Sequence, residues 1–131
     1  MLSLTDTLRQ SDPSLQELID KVHSAPTLSA MVMAAWPLAR HLTVCVVEEA
    51  LVQRAHQPTP WPTCQRCGTR LHSKGFLPRQ LTTLLGVVRW ERRIGRCPRG
   101  CKLGQVAPLD EALGLRPHQQ TSLELQQVAC A

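Results

Sequence analysis

Aromatic residues are scarce in this 131-residue chain, which has one phenylalanine, three tryptophans and no tyrosine. That scarcity disfavours a groove that stacks unpaired bases, because such a groove needs several exposed rings. Acidic residues are also few, ten against fifteen lysines and arginines. Asp6, Asp12, Glu17, Asp20, Glu48 and Glu49 fall on helix starts, caps or solvent faces, while Asp110 and Glu111 share one short turn. No separated acidic set capable of holding two catalytic metals emerges from these positions. A glycine-rich phosphate loop and a nucleophile motif are likewise missing, so no catalysis is expected of this chain alone. The N-terminus lacks a basic leader region, and Asp12-Pro13 precedes any long apolar run, which disfavours a secretory signal. The longest apolar stretch, Leu28 to Leu38, is shorter than a bilayer span and is followed by Arg40 and His41. The expectation is a cytoplasmic, nucleoid-associated protein with reduced thiols and no membrane partner.

Against these absences stand six cysteines, four of them in two close pairs. Cys64-Gln-Arg-Cys67 and Cys97-Pro-Arg-Gly-Cys101 flank the segment 68–96. Paired thiolates on two turns can close a tetrahedral site, two ligands from each turn, so Cys64, Cys67, Cys97 and Cys101 are candidate zinc ligands. Burying four thiolates without a cation would be prohibitive. The second pair has three intervening residues, a spacing that metal knuckles tolerate. His72 is an alternative ligand, although a surface histidine in a basic strand is the simpler reading. A redox dithiol at Cys64-x-x-Cys67 fits less well, since a proline-rich stretch precedes it where such motifs follow a strand and open a helix. Cys45 falls on an apolar helical stripe as a small core residue, and Cys130 carries no assigned role.

Charge is distributed in blocks. Residues 1–51 carry three basic and six acidic groups, residues 52–102 carry eleven basic groups against Glu91, and residues 103–131 carry Arg116 against three acidic groups. A basic block between acidic flanks is the footprint of a polyanion-binding centre. Arg70, Lys74, Arg79, Arg89, Arg92, Arg93, Arg96 and Arg99 are the candidate nucleic-acid contacts. Arginine predominates, and its planar fork suits phosphate. Trp61, Phe76 and Trp90 are the nearby rings, and Trp90 falls on the expected buried face, so phosphate-backbone contact is favoured over base readout.

Asp12-Pro13 supplies a cap and a first helical residue, and Leu15, Leu18, Ile19 and Val22 repeat at helical spacing. Thr27 caps a second helix reaching about Ala55, with Met31, Ala35, Leu38, Leu42, Cys45 and Val46 as its core stripe and Pro37 as a kink or break. Three prolines in 57–63 mark a stiff linker. Arg79–Leu85, Gly86 and Val87–Arg96 read as a β-hairpin, with Val88, Trp90 and Ile94 on one face and Arg89, Glu91 and Arg93 on the other; Arg92 breaks the alternation. Residues 108–115 read as a turn and a short helical segment. The architecture is therefore α+β: a helical region over 1–58, a zinc-ribbon-like basic module over 59–104 and a helical tail over 105–131.

The order of these features is specific. Cys64-Gln-Arg-Cys67-Gly68 is followed by Pro78-Arg79-Gln80-Leu81, Thr83-Leu84-Leu85-Gly86-Val87-Val88, Glu91-Arg92-Arg93, Cys97-Pro98 and Pro108-Leu109-Asp110-Glu111-Ala112-Leu113-Gly114-Leu115. Over about residues 60–116 this set resembles the N-terminal region of ISKra-group insertion-sequence transposases. The resemblance implies a zinc-ribbon-like head that recognises DNA, expectedly at element ends, ahead of an RNase-H-like catalytic domain with acidic metal ligands that this chain does not contain. The chain departs from the family pattern at its second knuckle, which usually has two intervening residues, and at Ile94-Gly95, where aromatics are common. A non-catalytic DNA-recognition fragment is the resulting expectation, with self-association or a catalytic transposase subunit as a further partner. The alternatives are the first half of a frameshift-split transposase, or a zinc module whose arginines meet an acidic protein.

Overall fold

In the computed structural model, residues 3–101 and 104–129 are described, and they form two compact units, 1–45 and 46–131. The chain is α+β, with N-terminal helices, a two-stranded antiparallel hairpin and a short helical tail.

The first unit begins with α1, Leu4–Ser11, a helix not anticipated from the sequence. Ser3 caps it by accepting from the Asp6 amide. Asp12 then accepts from the Ser14 amide at the start of a 3-10 turn, Pro13–Leu15, which runs directly into α2, Gln16–Ser24. Leu15 and Ile19 are almost completely buried, and Arg9 of α1 reaches Asp20 of α2 at 2.9 Å.

Thr27 accepts from the Ala30 amide and opens α3, Leu28–Ala55, whose residues from Val46 onward belong to the second unit. Pro37 lies inside it, yet α3 continues on both sides. The expected core stripe is not a core: Met31, Cys45 and Val46 are exposed, and Ala35, Leu38 and Leu42 are only partly buried. Helical spacing placed these residues on one face, but the two short helices of this unit offer too little apolar surface to cover it. Ala55 is the one fully buried residue of α3. By length and composition alone α3 is apolar enough to cross a membrane, although Arg40 and His41 lie within it.

In the second unit, β1, His72–Thr83, pairs with β2, Gly86–Arg96. The first strand starts seven residues before the expected Arg79. Gly75, at φ +100°, sits in the irregular register between Ser73 and Phe76 that lets the longer strand pair. At the turn the Thr83 hydroxyl accepts from the Leu85 amide and donates to the Gly86 carbonyl. Leu81, Val88, Trp90 and Ile94 are buried on one face, as the alternation predicts. After the second cysteine pair the chain returns, and Gly95 and Val106 exchange two backbone bonds of 2.8 and 3.0 Å. The tail holds α4, Pro108–Ala112, and α5, Leu123–Ala129. Cys130 lies outside the described residues.

Candidate metal centre and the basic hairpin

Each cysteine pair is shaped by its own small turn. In the first, Thr63 and Arg70 pair across a miniature hairpin; the Cys64 amide donates to Thr69 O at 2.7 Å and the Gly68 amide to Cys64 O at 2.8 Å. Gly68 closes this turn at φ +74°, a conformation that glycine adopts without strain. In the second, the Gly100 amide donates to Cys97 O at 3.1 Å, with Gly100 at φ +79°. The residue that makes this pair irregular is therefore accommodated by a glycine turn.

The hairpin brings the two turns together, and the sulfurs of Cys64, Cys67, Cys97 and Cys101 all lie within 4.8 Å of one another. Cys67 and Cys97 approach to 3.4 Å. A tetrahedral ion with metal–sulfur bonds of about 2.3 Å needs sulfurs about 3.8 Å apart, so small side-chain adjustments suffice to close the site. Cys64 and Cys97 are buried; Cys67 and Cys101 are partly so. Leu71 clusters with the buried pair, and Trp61 and Val106 pack against the cluster. His72 stands exposed on β1 opposite Arg96 and is not a member of the ligand group.

The thiols are unlike one another. The Thr69 hydroxyl and amide, with help from Cys97, hold Cys67 down to about 6. Cys101, facing Cys67 first and Cys97 next, is pushed up to about 12. Such a set keeps one thiolate at the expense of its neighbours. A cation removes the conflict by stabilising all four in the deprotonated form. These four cysteines can hold a metal ion, and an all-sulfur set with no open position is the donor chemistry of a structural zinc site.

Gly95 has a second role beside this cluster. A Cβ built on it would collide with the six-membered ring of Trp61. An indole from the proline-rich segment thus lies over β2 where any larger residue would exclude it.

The arginines divide into two groups. Arg79 and Arg92 turn inward, with side chains 12% and 15% exposed, onto Asp110, which is itself only 3% exposed. Both donate to Asp110 Oδ2 at 2.8 Å, and the Trp90 indole donates to Oδ1 at 3.2 Å. Arg79 also donates to the carbonyls of Arg116 and Gln119, and Arg92 to those of Leu77 and Pro78. Their guanidinium groups thereby tie the tail to the hairpin, in place of the phosphate contact expected of both from the sequence. The visible signal was Arg92 itself, a charge on the apolar side of β2.

The remaining candidates, Arg93 apart, are exposed: Arg70, Lys74, Arg89, Arg96 and Arg99. Arg93 is partly buried beside Phe76, 5.2 Å from its ring, and Phe76 also stacks on His56. Arg66, absent from the expected set, is exposed within the first knuckle. Comparison with protein-family models, with curated proteins and with solved structures finds no match for this chain.

Proposed function

We propose that residues 59–104 are a zinc-binding module that grips DNA by its phosphates, and that the chain is the recognition head of an ISKra-like transposase. The observation that carries the reading is the basic set that remains once Arg79 and Arg92 are committed to Asp110: Arg70, Lys74, Arg89, Arg96 and Arg99, all exposed, and Arg93, partly so. Glu91 is the acidic residue placed among them on the hairpin. Zinc supports this surface mechanically, because the two knuckles that carry Arg70, Arg96 and Arg99 have little apolar core of their own. The metal has no catalytic part in this reading, since four thiolates leave no coordination position for water or substrate. The resemblance over residues 60–116 supports the transposase assignment, and the shortage of exposed rings supports phosphate contact over base stacking.

Titration of the zinc-loaded protein with a fluorescent duplex at several salt concentrations tests the reading. If all six groups meet phosphate, log K falls against log salt with a slope of about −5, near 0.9 per contact. Arg89→Glu with Arg93→Glu should abolish measurable binding while metal content and circular dichroism stay unchanged. Salt-independent binding, or no binding by the wild-type protein, would refute the reading. Retained DNA binding by the double variant would point the basic face toward an acidic protein.

A further inference from the structure

Asp12 uses its two carboxylate oxygens differently. Oδ1 accepts from the Ser14 amide at 3.0 Å and from the Ser14 hydroxyl at 2.6 Å, which fixes the carboxylate at the end of α1. Oδ2 is left to face α3, where it lies 3.3 Å from Nε2 of His41. One helical turn further on, Cys45 brings its sulfur to 3.7 Å from the same nitrogen. Residues four apart share a helix face, the spacing by which two side chains of one helix reach a single ion. A carboxylate oxygen, an imidazole nitrogen and a thiol sulfur thus converge within the first unit, whereas the four-cysteine centre belongs to the second. We propose that Asp12, His41 and Cys45 form a second, exchangeable metal site for a divalent late first-row ion such as zinc, cobalt or nickel.

The separations fit such an ion. Tetrahedral bonds of about 2.1 Å to nitrogen and oxygen and about 2.3 Å to sulfur set nitrogen about 3.4 Å from oxygen and about 3.6 Å from sulfur. The remaining edge, from Oδ2 to Sγ, closes by rotation about χ1 of Cys45, which its exposure permits. A proton serves the cluster less well. If Nε2 carries it, one hydrogen is divided between oxygen and sulfur; if Nε2 is bare, its lone pair faces the carboxylate. A cation accepts a lone pair from all three. Ser14 holds the ligand carboxylate from behind, as outer partners of metal sites do. Mixed nitrogen, oxygen and sulfur donors select zinc-like ions over magnesium or calcium. Asp12 and His41 are 38% and 40% exposed, so three ligands leave a fourth position to water, and the ion is lost on desalting where one enclosed by four thiolates is kept. When bound, it clasps α3 to the turn between α1 and α2. The inference is independent of DNA binding.

Cobalt is the probe, added to the desalted, zinc-loaded full chain carrying Cys130→Ser, so that Cys45 is the one thiol outside the cysteine centre. One further equivalent should bind without zinc release, showing the visible bands of four-coordinate cobalt and the charge-transfer band of a single thiolate. Cys45→Ser should remove the charge-transfer band. Ser14→Ala, which loosens only the outer bond to Oδ1, should weaken uptake about 10-fold, and His41→Ala more than about 100-fold. Helical dichroism should be the same in all three variants, because each replaced side chain lies at the surface. No second equivalent at about 1 mM cobalt, the weak end of specific affinity, would overturn the inference. So would cobalt uptake matched by zinc release, a charge-transfer band that survives Cys45→Ser, or an affinity indifferent to His41→Ala.

Discussion

Among the described residues of 1–45, Leu15 and Ile19 reach almost complete burial, while the long helix beside them leaves most of its apolar side chains in solvent. In residues 46–131 the buried set is larger, and it is organised around groups that are not apolar at all: four thiols and the carboxylate of Asp110. Among the described residues neither unit buries more than a small set of apolar side chains. The second compensates with directional chemistry inside its own boundary. The first leaves the apolar side chains of its long helix largely uncovered. A small unit with internal staples can present a charged surface, because its fold does not need that surface buried.

Removing the metal should separate the units most sharply. Structural zinc contributes on the order of 10 kcal/mol to small modules, more than a domain of this size holds in reserve. Cys97→Ser, or chelation of the wild type, should abolish metal binding at the cysteine centre and melt the hairpin, read by metal analysis and by near-ultraviolet dichroism of Trp90. The helical signal of residues 4–45 should persist. Acid should act in the same direction. Cys67 is held below its ordinary 9.0, so its contribution is complete above that value and is lost as the pH falls through about 6. Metal release should follow at a lower pH, because a bound cation holds the four thiolates deprotonated against protonation. A hairpin that keeps its dichroism without metal would show that the staples are redundant.

Asp110 comes next. Asp110→Ala leaves Arg79 and Arg92 facing each other with no counter-charge and the Trp90 indole without its acceptor. Breaking a buried ion cluster from one side costs about 3–5 kcal/mol. Urea unfolding of the zinc-loaded protein should register that loss in the second unit alone. If the loss is small, water already reaches the cluster, and the two arginines become available to phosphate again.

How much of this was legible in the sequence depends on the range of the contact. Thr27 and Asp12 were readable as caps because each bonds an amide two or three residues away. The cysteine pairs and the alternation of Val88, Trp90 and Ile94 were readable because spacing alone fixes which side chains share a turn or a face. Helix α1 was missed, since its eight residues offer Leu4 and Leu8 as its whole apolar pattern. The stripe from Met31 to Val46 was legible as a face but not as an exposed one, because burial depends on what the rest of the chain can supply. The partners of Arg79, Arg92 and Gly95 were hidden for another reason. Asp110 is 31 residues from Arg79 and 18 from Arg92, and no local pattern joins Trp61 to a glycine in β2. Such contacts require the topology to be known first.

The Trp61–Gly95 contact gives a smaller and more selective test. Gly95→Ala places a methyl group where the indole lies, and overpacking of that kind costs about 1–3 kcal/mol. In a Trp61→Ala background the same substitution should be nearly neutral, because the obstructing ring is gone. A double-mutant cycle measures the difference as a coupling energy. Additive effects would mean that the strand's backbone, and not the indole, requires glycine there.

Asp12 should show the smallest effect, and it bears most directly on the comparison because it is the first unit's counterpart of Asp110. It too joins separated elements, bonding Ser14 in its own turn and approaching His41 of α3, but it does so in solvent. The Ser14 hydroxyl first, and His41 after it, hold its carboxyl below the usual 3.8. Its contribution is therefore present above that value and is lost as the pH falls through the lowered one. Water competes for every partner that Asp12 has, so Asp12→Ala should shift the unfolding midpoint less than Asp110→Ala does. Hydrogen exchange should quicken at the Ser14 amide of the 3-10 turn that leads into α2, while the metal content of the cysteine centre and the hairpin's dichroism stay unchanged. Loss of that metal from this variant would show that the N-terminal cap and the distant cysteines share one cooperative structure, and the contrast between a stapled and an unstapled unit would fail.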